Sequence, residues 1–190
     1  MSIYTINSEP ELAGGSVADA DELVIYDASA EVTKKVAMDS VRQFVGGGVV
    51  AVTAATLSLT AAAHAGRIVT LETLTGTTLT LPAATGTGDV YTIVIKTAAT
   101  SNAHVIETSA TSEHMTGSVR GVDDDAEGAT GYQWNAETND DTVTMNGTAT
   151  GGKPGDTIII RDYEATNFSV DGHLTQSGAS EATPFSAAVS

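Results

Sequence analysis

The sequence predicts an all-β protein: an antiparallel sandwich or barrel-like domain with an N-terminal arm, a small hairpin plus short helix, and a C-terminal tail. Three observations predict it. Apolar residues recur with a period of two, as in Val90-Tyr91-Thr92-Ile93-Val94-Ile95, the pattern of a half-buried strand. Turn residues such as Pro82, Gly86 and Gly88 punctuate these runs at short intervals, the spacing of sandwiches and barrels. The chain has 190 residues, 41% hydrophobic and 17% charged, too apolar for a disordered chain. At ~150 residues per domain, that length allows one compact domain with a remainder for arms.

Residues 1–20 are polar and acidic, broken by Pro10 and Gly14-Gly15, and read as an extended arm. Residues 21–48 hold a hairpin and a short helix. Leu23-Val24-Ile25-Tyr26-Asp27 reads as a strand, Ala28 to Glu31 as its turn and Val32 to Val36 as the return. Asp39 or Ser40 can cap a helix through Val45, which Gly46-Gly47-Gly48 ends. The β-domain spans 49–173. Its strands are read at Val49–Val52, Leu57–Leu59, Arg67–Leu71, Leu79–Leu81, Val90–Lys96, His104–Thr108, Thr157–Asp162 and Phe168–Val170. Asn146-Gly147, between Val143-Thr144-Met145 and Thr148-Ala149-Thr150, is the pair a type I′ hairpin prefers. Residues 174–190 are small and polar, an extended tail with Pro184-Phe185 as its anchor.

Eight Lys and Arg stand against 24 Asp and Glu, a net charge of −16. Scattered basic residues cannot neutralise a phosphate backbone, so the charge argues against nucleic-acid binding and against adsorption to anionic membranes. No run reaches the ~18 apolar residues of a membrane span, and Met1-Ser2-Ile3-Tyr4 lacks the basic start of a signal peptide. With no cysteine, disulfides, thiolate metal sites and a cysteine nucleophile are excluded. Without a leader, the glycosylation-like Asn146-Gly147-Thr148 and Asn167-Phe168-Ser169 read as turn and strand residues.

Several stretches approach known chemistry. Gly147 to Lys153 has the spacing of a phosphate-binding loop, but Pro154 stands where a magnesium-ligating Ser or Thr belongs, so it reads as a turn. Asn135, Glu137, Asn139 and Asp141 alternate like calcium ligands, yet Asp140 takes the glycine place and Asn146 the place of the bidentate Glu. A solvated acidic loop is the favoured reading, there and at Asp123 to Glu127, with a weak structural calcium site as the alternative. His64, His104, His114 and His173 are too far apart in sequence to share a helix face. No Gly-x-Ser-x-Gly elbow is present, and no carboxylate pair stands out, so no catalytic residue and no cofactor are assigned. Tyr132 and Trp134 have the chemistry to stack on a sugar, or to anchor a core or subunit contact. With Phe185 they are the candidate interaction residues.

Asp21 to Ala30, followed by Lys34 to Val41, resembles a segment recurrent in tailed-bacteriophage structural proteins, where an acidic–apolar–Tyr-Asp strand precedes Lys-Lys-apolar and a short helix. Leu81-Pro82-Ala83-Ala84-Thr85-Gly86-Thr87-Gly88 is similar to the Leu-Pro-x-Ala-x-Gly-x-Gly turn of that class. Gly178 to Phe185 looks like the ending of head decoration proteins. The resemblance implies a homotrimeric virion protein without enzymatic activity, synthesised in the host cytoplasm. The expectation is a decoration, or cement, protein on the outer surface of the head, bound to the major capsid protein. There, residues 1–20 or 174–190 would lie along a neighbouring subunit. The absence of an internal repeat favours this over a fibre, and a charge that packaged DNA would repel favours the outer wall of the head over the inner. The alternatives are a tail-fibre or receptor-binding module and, third, a polysaccharide-degrading enzyme.

Overall fold

The computed structural model describes residues 22–37, 41, 47–124, 130–178 and 180–189. The chain divides into two units, Met1–Gly47 and Gly48–Ser190. In the first, strands β1 (Glu22–Asp27) and β2 (Val32–Ala37) pair antiparallel, with Leu23 opposite Val36 and Ile25 opposite Lys34. Lys35 reaches across to Glu22 in an ion pair. Residues 1–20 and the helix expected after Asp39 lie outside the described residues, apart from Val41, which is helical.

The second unit is all-β, two sheets packed face to face. Its first strands are β3 (Val49–Val52), β4 (Thr56–Ser58), β5 (Ile68–Leu71), β6 (Thr78–Thr80), β7 (Val90–Ile95) and β8 (His104–Glu107). They are followed by β9 (His114–Asp123), β10 (Gly131–Asn135), β11 (Thr142–Met145), β12 (Thr157–Glu164), β13 (Asn167–Gln176) and β14 (Phe185–Ser186). The one helical turn among the described residues of this unit, α1 (Ala61–His64), is capped by the Thr60 hydroxyl. The large sheet runs β10-β9-β13-β12-β7-β5-β3 and the small one β14-β11-β8-β6-β4.

Both sheets are mixed, where antiparallel pairing was expected throughout. From β3 to β8 the chain alternates between sheets, so β3, β5 and β7 pair in parallel in one and β4, β6 and β8 in the other. Parallel neighbours need a crossover, and here the crossover is a strand of the opposite sheet. The result is a wound half, closed by antiparallel β12 on β7 and β11 on β8. A second parallel contact, β13 on β9, lies in the other half.

Alternation explains the packing. Tyr91, Ile93 and Ile95 of β7 are buried, as are Val69 and Leu71 of β5, and Ile158 and Ile160 of β12. Leu79, Ile106, Val143 and Met145 of the small sheet complete the same core. Two local expectations fail. Asn146-Gly147 does not turn a hairpin: the Asn146 side chain accepts from the Thr148 and Thr150 amides, and β11 pairs with β8 and β14 instead. Nor are residues 174–190 an extended tail throughout. β13 runs on to Gln176 with Leu174 buried, and Phe185 brings β14 against β11. Both residues bury large apolar area, and the core takes them.

Candidate functional site

The candidate residues Tyr132, Trp134 and Phe185 all lie in the second unit. Tyr132 and Trp134 are two apart on edge strand β10, so their rings share its inward side and stack, centroids 5.7 Å apart and planes 9° from parallel. Each ring's polar tip is tied to the C-terminal segment. Trp134 Nε1 donates to Gln176 Oε1 at 3.0 Å, and the Tyr132 hydroxyl to Glu181 at 3.1 Å. That carboxylate bond pushes the phenol above its ordinary pKa. Gln176 is fully buried and spends both amide hydrogens on the carbonyls of Ala149 and Ala182. Gly121 leaves room for that amide: a Cβ there would meet Gln176 Oε1 and displace it from its bond to Trp134.

Phe185, expected as an interaction residue, is 5% exposed and belongs to the core. Trp134 and Phe185 do line one open cleft of about 360 Å³, with Asn135, Glu137, Asp140 and Thr183 around it.

Several acidic residues are buried staples, among them Asp141, which lies in a stretch read from the sequence as a solvated loop. Asp162 accepts from the amides of Thr85 and Gly86 (3.1 and 2.7 Å) and from the Thr87 hydroxyl at 2.9 Å. Burial opposes its ionisation, but the Gly86, Thr85 and Thr87 donors outweigh it and hold the carboxyl below its ordinary value. Asp141 is likewise depressed: the amides of Ala188 and Val189 and the Thr142 hydroxyl prevail over burial. Glu113 accepts from Ala84 and Ser109 amides.

Asp156 takes the amides of Gly152, Lys153 and Thr175. The loop that spells a near phosphate motif therefore has two of its donors occupied by its own carboxylate, and Lys153 pairs with Asp124. In the calcium-like stretch, Asp140 caps the Glu137 amide, and among the described residues no three His, Asp or Glu side chains gather into a metal-holding group. His104 is buried with Nε2 2.8 Å from the Thr97 carbonyl. Burial pushes its pKa down, against the raising effect of that bond.

Large exposed apolar side chains gather on the hairpin. Val24 is 68% and Tyr26 66% exposed on one face, Leu23 and Ile25 each 45% on the other, with Val32 close to them. Apolar residues on both faces were legible in the sequence; their exposure was not. No family model matches the chain, and no curated protein matches it. Among the described residues no helix is long and apolar enough to cross a membrane.

Proposed function

We propose that the chain is a head decoration protein of a tailed bacteriophage, binding the outer surface of the capsid through the major capsid protein and stabilising the mature shell. The observation that carries the reading is the hairpin. A lone two-stranded sheet is marginal in water, and this one holds five exposed large apolar residues. It is built to be completed by another surface, while the acidic sandwich beside it in sequence has its own core. Burying apolar surface that only the assembled lattice offers shifts the equilibrium toward the intact shell. The role is mechanical, with no catalysis and no cofactor, and the resemblance adds a homotrimer of this chain. Its net charge of −16 favours the outer surface of the head, away from packaged DNA.

One observation favours the alternative, a tail-fibre or receptor-binding module. The cleft beside Trp134 combines an aromatic wall with Asn135 and Glu137, the chemistry that holds a sugar ring. Cryo-EM of purified virions tests the two together. Density for this chain on the head lattice between capsomers is the expected result; density at the tail would overturn it.

A further inference from the structure

The two sheets of the sandwich present different outsides. That of the small sheet is mostly polar: Thr56, Ser58, Thr78, Thr80, Glu107 and Thr144, with Val105 among them. On the large sheet the register sets Asp171, Ile159, Thr92, Ile68 and Val49 side by side across β13, β12, β7, β5 and β3. The neighbouring row is His173, Thr157, Val94, Thr70 and Ala51. From β12 outward to β3 these two rows carry no charge, and Val49 is 63% and Ile68 42% exposed. Edge strand β3, Val-Val-Ala-Val, carries no lysine and no proline, the devices that usually discourage pairing. Yet sixteen of the chain's 24 acidic residues and five of its eight basic ones lie from Gly48 onward. Between copies of so acidic a body, repulsion is least across an acid-poor face.

At one end of that face Glu72 and Lys96 pair with each other, Glu72 also accepting from Thr70. The face holds a second opposed pair, Arg161 and Asp171. Arg161 lies two residues beyond Ile159 on β12, and Asp171 lies opposite Ile159 on β13. The two form no ion pair with each other or with any other described residue. We propose that this face is a two-fold contact between two copies of the chain, in which Arg161 of each copy pairs with Asp171 of the other. The geometry permits both pairs at once. A two-fold axis lying in the interface, midway between the two side chains and perpendicular to the line joining them, places each over its opposite. In the register of the sheet that axis runs outward over Ile159 and Thr92, so the uncharged strands meet their own copies along it. The contact goes beyond the proposed capsid role and does not depend on it, since it requires no shell and no hairpin.

Sedimentation equilibrium of the full chain, without capsids, tests it. Wild type is expected to self-associate, and Ile68→Lys or Val49→Lys, at exposed positions, to abolish the paired species. Arg161→Asp and Asp171→Arg are each expected to weaken the association about tenfold or more, as close interface charges do. The double variant Arg161→Asp/Asp171→Arg, which restores opposite charges, is expected to recover it. Thermal unfolding checks that each variant is folded. A wild type that stays monomeric from about 1 to about 100 µM overturns the contact. So does an assembly that the single charge reversals leave unchanged, or a double variant no better than its parents.

Discussion

Leu23, Val24, Ile25 and Tyr26 of the hairpin are as apolar as Tyr91, Ile93 and Ile95 of β7, yet the first set is exposed and the second buried. The difference lies in what covers each strand. β7 has β5 and β12 at its sides and the small sheet over its inner face, so alternation sends one set of side chains to water and the other to the core. Among the described residues β1 pairs only with β2, and its apolar groups on both faces are exposed. Each such side chain stands to gain about 1.5–3 kcal/mol on full burial. In the sandwich that gain is already used to hold the fold; in the hairpin it is still available to a partner. Damage to the sandwich should therefore appear as lost stability, and damage to the hairpin as lost binding.

The hardest break of the comparison is at Gly117, in the middle of β9. Its φ is +135°, and an added Cβ would stand 2.1 Å from the Val170 carbonyl oxygen on β13. Backbone cannot yield there without opening the β9–β13 pairing. Gly117→Ala is expected to cost more than about 4 kcal/mol. Gly88→Ala, also at positive φ (+82°) but with open space around it, should cost only about 1–2 kcal/mol. Urea unfolding of the pair decides it, and a near-normal midpoint for Gly117→Ala would refute the steric argument.

Next comes Asp162. Asp162→Ala strands the amides of Thr85 and Gly86 and the Thr87 hydroxyl, and a loss of about 3 kcal/mol is expected in the same assay. Asp171→Ala, on the outer face, should stay within about 0.5 kcal/mol as a monomer. Equal effects would mean that the Asp162 bonds are not the anchor of the 85–87 turn.

These two carboxylates show where the sequence is legible and where it is not. The β class and the strands at 90–95 and 157–162 follow from the period of two, which is local. The Gly86–Asp89 turn was equally plain. That Asp162 would close it from 75 or more residues away was not, because an acid beside a strand end looks the same whether water or backbone amides hold it. The winding was hidden for a related reason: β3, β5 and β7 begin at 49, 68 and 90, unequal steps that leave no repeat to detect. Tyr132 and Trp134 were found as an aromatic pair. Their inward direction depends on Gln176, and a buried glutamine gives no signal in composition. Phe185 was taken for a tail anchor, and core burial of its ring comes from β11 offering an unpaired edge, a tertiary fact.

The pH response should also separate the two regions. Asp141 and Asp162 have folded pKa values below their unfolded 3.8, so their contribution is complete above about pH 4 and is lost as pH falls through the folded values. His104, buried and depressed below 6.5, adds a loss that begins as pH drops under that value, because the unfolded chain takes up the proton first. Unfolding midpoints of the full chain should therefore be flat from pH 7 upward through mild alkali, decline slightly below 6.5 and fall more steeply below 4. His104→Gln should remove the first decline and leave the second. A midpoint that rose on acidification would contradict the sign for all three groups.

The smallest effect on stability belongs to the hairpin, and it is the most telling. Val24→Ser with Tyr26→Ser removes the two most exposed apolar side chains on one face of β1. The melting midpoint of the sandwich should move by no more than about 2 °C, the range of neutral surface changes. Binding to expanded, undecorated capsids, measured by co-sedimentation, should fall by at least about tenfold, since about 3 kcal/mol of apolar burial is withdrawn. Normal capsid binding by this variant would move the docking role away from the hairpin. A large drop in the melting midpoint would mean that the hairpin already supports the sandwich, and the contrast between a self-sufficient body and an unsatisfied docking strand would fail.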